Sequence, residues 1–166
     1  MSDPTSDDPG RGAETTPGPT LPTSVALWVI AASSTVVGGW ALAAPRSFYD
    51  DFPGAGRVWV AVDGPFNEHL VRDVGALNLA LAFVAGLALI TRHHLVARAA
   101  GGAALVYGVP HLLYHLLNLG PFDAGDAVAM IVSLALAVAA GVAALAGSFS
   151  GDAVRPTASS PPGPPG

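Results

Sequence analysis

Four apolar stretches, each about 20 residues or longer, occupy the middle of this chain and leave it few folds to choose from. They run over 24–44, 69–90, 95–117 and 124–147. With a rise of about 1.5 Å per residue, each is long enough as a helix to cross a hydrocarbon layer about 30 Å thick. Lipid offers the backbone no hydrogen-bond partners, so a spanning segment must satisfy its own N–H and C=O groups, and the helix does this. The rival fold is a water-soluble bundle of buried helices. It needs a polar face on each outer helix, and the first and fourth stretches have none. Residues 128–146 contain no charged side chain. The expected fold class is all-α: a four-transmembrane-helix bundle with a long first extramembrane loop.

Composition agrees. Charged residues make up 11% of the chain and hydrophobic ones 51%, whereas a soluble domain has about 25% charged residues. Residues 1–22 and 148–166 are rich in Pro, Gly, Ser and Thr and lack apolar periodicity. They are predicted to be disordered tails flanking a membrane domain over 23–147. The absence of cysteine excludes disulfides, thiolate metal sites and CxxC redox chemistry. A net charge of −5 with no basic patch excludes nucleic acid as the expected partner. The lipid bilayer is the partner the composition calls for. Glycines in the spans (Gly38, Gly39, Gly75, Gly86, Gly101, Gly102, Gly108 and Gly141) are read as helix-packing positions, which also suit a homo-oligomer or a membrane partner.

Ala41-Leu42-Ala43 resembles a signal-peptidase site, but the stretch before the first span is acidic, with Arg11 its only base. A retained span is expected. The connection between the second and third spans carries Arg92, His93, His94 and Arg98, while the next connection carries Asp123 and Asp126 and no base. The positive-inside rule then predicts a multi-pass plasma-membrane protein with both termini cytoplasmic.

The residues able to carry chemistry fall in two places. At the start of the second span, Asn67 is a candidate N-cap, and Glu68–Arg72 and His69–Asp73 are pairs four residues apart. Near the end of the third span stand Tyr107, Pro110, His111, Tyr114, His115 and Asn118. Consecutive spans run antiparallel, so both groups belong to one leaflet, the outer one by this orientation. Ionisable groups inside a membrane are costly and mark functional or tightly paired positions. Three readings stand open. The cluster is a satisfied network holding the first loop; or His111 and His115 bind a divalent metal such as zinc or iron with Glu68 or His69; or the cluster is a proton-coupled or small-ligand site in which a histidine works with Glu68 or Asp73. No HExxH, nucleophile motif or phosphate loop is present. An enzyme would then be an oxidoreductase relying on bound metal or quinone. The rival class is a structural or partner-binding membrane subunit. Phe48, Tyr49, Phe52, Trp59 and Phe66 in the first loop are expected at headgroup level.

The runs Phe48-Tyr49-Asp50-Asp51-Phe52-Pro53-Gly54 and Gly64-Pro65-Phe66-Asn67-Glu68-His69-Leu70-Val71-Arg72-Asp73, with Pro110-His111 followed by Tyr114-His115, carry a family resemblance. The chain resembles small, uncharacterised actinobacterial four-helix membrane proteins, and over 27–145 its architecture is similar to the DoxX-like group. The resemblance implies a four-helix membrane fold and an important Asn67–Asp73 run; it implies no particular reaction.

Overall fold

The computed structural model describes residues 18–149, so the tails read as disordered lie almost wholly outside the described residues. Each apolar stretch forms one helix. They are α1 (Leu21–Ala43), α3 (Glu68–Thr91), α4 (His94–Leu117) and α5 (Ala124–Gly147), with a short α2 (Pro45–Asp51) in the first loop. Leu21 and Pro22, assigned above to the tail, are helical. Proline has no N–H to leave unbonded and is tolerated in a first turn.

The helix ends follow local chemistry. Asn67 accepts a hydrogen bond from Leu70 N at 3.1 Å, capping α3 as its sequence position predicted. Asp123 does the same for α5 with Asp126 N at 2.8 Å. Between α3 and α4 only Arg92 and His93 intervene, and the His93 ring accepts from Leu95 N at 3.2 Å. Helix α4 continues unbroken through Pro110.

α1, α3 and α5 are long and apolar enough to cross a membrane. α4 has the length, 24 residues, but is not among them. Its glycines, histidines, tyrosines, Arg98 and Pro110 dilute its apolarity. The expectation of four spans is therefore met, on length and composition, by three helices.

The four long helices close a ring: α1 packs on α3 and α5, and α4 packs on α5 and α3. Two glycine seams hold it. A Cβ on Gly38 would lie 2.8 Å from Gly75 O, and one on Gly75 would lie 2.7 Å from Leu42 N. Likewise a Cβ on Gly101 would lie 2.6 Å from Leu145 N, and one on Gly141 would lie 3.0 Å from Leu105. Each of these glycines has a leucine four residues on, and the partner helix's backbone or leucine fills the space a side chain would need. The α1/α3 seam lies towards the first loop and the α4/α5 seam towards the α3–α4 connection. Gly39, Gly86 and Gly102, also expected as packing positions, face open space instead.

Two cores complete the bundle. One, at the α3–α4 connection end, joins all four long helices through Leu27, Ile30, Ala88, Ala97, Ala140 and Ala144. The other lies under the first loop, where Ala41, Phe48 and Val71 are buried among Trp40, Phe52 and Phe66. The loop aromatics therefore pack on one another, with Phe48–Phe52 ring centroids 4.7 Å apart and Phe52–Trp59 6.0 Å apart. The loop also contains a two-residue hairpin, Pro53–Gly54 against Arg57–Val58, and a 3-10 turn at Ala61–Asp63.

Gly75→Ala and Gly101→Ala are each expected to lower stability in detergent by about 1–3 kcal/mol, the usual range for overpacking. Gly86→Ala is expected to be neutral or stabilising, since it adds helix propensity where nothing is displaced. Thermal unfolding of the three variants checks the order.

Candidate functional site

The four-residue spacing of Tyr107, His111 and His115 places them on one stripe of α4. Their rings form a row. Tyr107 stacks on His111 with centroids 5.4 Å apart and planes 30° apart, and His111 meets His115 edge to face at 4.9 Å. Tyr114 and Phe122 each pack against His115, at 5.4 and 6.2 Å.

A polar group closes each end of this row. Towards the middle of the bundle, the buried Asn78 of α3 donates to Val74 O at 2.9 Å and to the Tyr107 hydroxyl at 3.4 Å. At the first-loop end, the Tyr114 hydroxyl donates to Asp63 Oδ1 at 3.2 Å. Between these ends, His115 is only 9% exposed, and its Nδ1 is buried without a hydrogen-bond partner among the described residues. Buried polar atoms are nearly always satisfied, so an orphaned imidazole nitrogen is an exception that asks for a reason.

The residues at the start of α3 do not join the row. Arg72 Nε donates to Glu68 Oε1 at 2.9 Å, and Arg72 Nη1 donates to Leu42 O of α1 at 2.5 Å. That carbonyl is one of the last four of α1 and has no partner within the helix. His69 and Asp73 pair at 3.2 Å with side chains 87% and 61% exposed. Adjacent residues on a helix point about 100° apart. The Glu68–Arg72 pair therefore turns to α1 while the His69–Asp73 pair turns outward. The single cluster expected from the sequence is three separate groups.

This corrects the metal assignment. Glu68 is committed to Arg72 and does not accompany His111 and His115. Among the described residues no group of three His, Asp or Glu side chains is placed to hold a metal ion.

Three contributors to the row were missed. Asp63 sits in the first loop, 51 residues from Tyr114, with no local pattern to mark it. Phe122 lies in a turn. Asn78 had a signal, a lone amide inside the apolar run of α3. At the first-loop end of the row a bowl of about 580 Å³ opens between the loop and the start of α5, lined by Arg57, Val62, Phe122, Asp123 and Asp126. Arg57 Nη1 bridges to Asp126 Oδ1 at 2.5 Å across it. Farther along the loop, the Arg46 guanidinium donates a hydrogen bond to Asp50, and that bond, with the Asp50 charge, holds it above its ordinary pKa. Neither a family model, nor a curated protein, nor a solved structure matches the chain.

If the two α3 pairs are independent of each other, Arg72→Ala should destabilise the protein by about 1–2 kcal/mol, because it removes the charged donor that ties α3 to the Leu42 carbonyl. Glu68→Gln should lose less than about 1 kcal/mol, and His69→Ala should be nearly neutral. Unfolding in mild detergent checks this ranking; His69→Ala as the most damaging of the three would refute it.

Proposed function

We propose that the chain crosses the plasma membrane four times, with both termini cytoplasmic, and belongs with the DoxX-like group it resembles in architecture. The third crossing is α4. Several of the polar residues that dilute its apolarity are turned inward: His115 is buried, and Tyr107 and His111 are half-buried. Inward-facing ionisable groups are the form in which membrane spans tolerate them.

We further propose that the row of Tyr107, His111, Tyr114 and His115, between Asn78 and Asp63, is a binding site for a small polar ligand in the outer leaflet. The observation that carries this reading is the unpartnered Nδ1 of the buried His115. A ligand hydroxyl, amine or carbonyl would complete it. The row runs from the aqueous loop to Asn78, ten residues and about 15 Å into α3. Histidine is the side chain best suited to exchange a proton with such a ligand near neutral pH. Asp63 stands where that proton would reach water.

A second reading is favoured by how the loop is fastened. Tyr114 holds Asp63, Tyr49 donates to Gly64 O at 2.5 Å, and Arg57 bridges to Asp126. On this reading the chain is a structural or partner-binding subunit and the row only anchors its loop.

A thermal-shift screen of small carboxylates, amines, amides and phenols, on protein in lipid nanodiscs, separates the two. The ligand-site reading expects at least one class to stabilise the wild type, by about 1.4 kcal/mol at ten times its Kd. The gain should vanish in His115→Ala and persist in His69→Ala. No stabilisation by any class, with His115→Ala and Tyr114→Phe both merely less stable, would favour the anchor.

A further inference from the structure

At the end of the bundle opposite the first loop, a groove of about 140 Å³ opens between α1 and α3. It lies far from the Gly38/Gly75 seam, where the two backbones touch. Pro19, Leu27, Trp28, Ala88 and Leu89 form its apolar wall, and Ser24 and Arg92 make the rest of its lining polar. Trp28 is 64% exposed and sits within two turns of the start of α1, a typical depth for an interfacial aromatic.

Arg92 is the unusual residue. It ends α3 in the left-handed conformation, with φ of 53°, where glycine is the residue without strain. Its backbone N–H is bonded to Ala88 O at 3.0 Å, and its guanidinium lies against Gly18, where a Cβ would come within 2.6 Å of Nε; among the described residues it makes no ion pair. Nor does any described residue offer it an acidic neighbour. Every Asp and Glu among the described residues belongs to the first loop, the early turns of α3 or the start of α5, all towards the other end. A backbone position that favours glycine thus holds an exposed cation, without an ion pair among the described residues, at the rim of a groove with an apolar wall.

We propose that this groove binds an anionic phospholipid of the leaflet containing the α3–α4 connection. The Arg92 guanidinium engages the phosphate through paired N–H donors, the geometry in which arginine binds this group most strongly. The Ser24 hydroxyl supplies a further donor, and Trp28 and Leu89 flank the first carbons of an acyl chain. Basic rims between membrane helices are suited to such headgroups. The site goes beyond the proposed ligand row and shares no residue with it.

The test uses the full chain in nanodiscs of phosphatidylcholine, with or without phosphatidylglycerol, reading the melting temperature and, by native mass spectrometry, the retained lipid. Wild type should melt higher with phosphatidylglycerol and retain it preferentially. Arg92→Gly removes the cation while relieving the backbone. It should fold at least as stably in phosphatidylcholine and hold phosphatidylglycerol about tenfold more weakly. Arg92→Lys should keep part of the preference, and Arg92→Gln should repeat the loss should the glycine variant fail to fold. An unchanged preference in both charge-removing variants would overturn the proposal, as would a wild type without one. Equal stabilisation of the wild type in phosphatidylcholine by inorganic phosphate would overturn the lipid assignment.

Discussion

Backbone-to-backbone contact at two glycine pairs sets the geometry from which the other features follow. Between helices in lipid, no hydrophobic force favours protein over solvent, so close packing must supply the association. Gly38 against Gly75 and Gly101 against Gly141 allow approaches that any side chain would block. The first pair brings the end of α1 beside the start of α3. That proximity lets Arg72 reach the Leu42 carbonyl, and the intervening loop has to fold back over the junction as a compact cap. The second pair locks α4 to α5 near the opposite end. The polar half of α4 is then left beside α3 and the loop, where Asn78 and Asp63 meet its rings.

Helical periodicity both creates and divides the polar chemistry. Residues four apart share a face, which yields the Glu68–Arg72 and His69–Asp73 pairs and the Tyr107–His111–His115 row. Residues one apart do not. Glu68 and His69 share a depth in the membrane and still serve different surfaces. Depth alone gathers groups into a layer; the face decides which of them touch.

This is also where the sequence stops being legible. Long apolar runs and capping chemistry carry the helices and their ends, because both are local properties, and Asn67 illustrates it. The pairs within α3 are local too, and they form as expected. Contacts between elements are another matter. Sequence spacing placed Glu68 near His111 by leaflet, but the seam at Gly75 rotates the Glu68–Arg72 face towards α1, away from α4. Asp63, the carboxylate that does reach the row, lies in a loop whose course depends on a hairpin, a 3-10 turn and an aromatic core. The polar character of α4, plain in its composition, keeps it from reading as a span by apolarity alone.

The contacts joining the α1/α3 pair to the α4/α5 pair are unevenly distributed along the bundle. Among the described residues, polar ones at Asn78–Tyr107, Asp63–Tyr114 and Arg57–Asp126 run from its middle to the first loop. At the other end the buried core joining the pairs is built chiefly of alanines. Flat apolar surfaces can slide by fractions of an ångström with little change in energy, whereas a directional bond is either formed or broken. Relative motion of the two pairs therefore has a bearing at one end and a clasp at the other. Opening at the clasp end comes in discrete steps, one for each bond released to water.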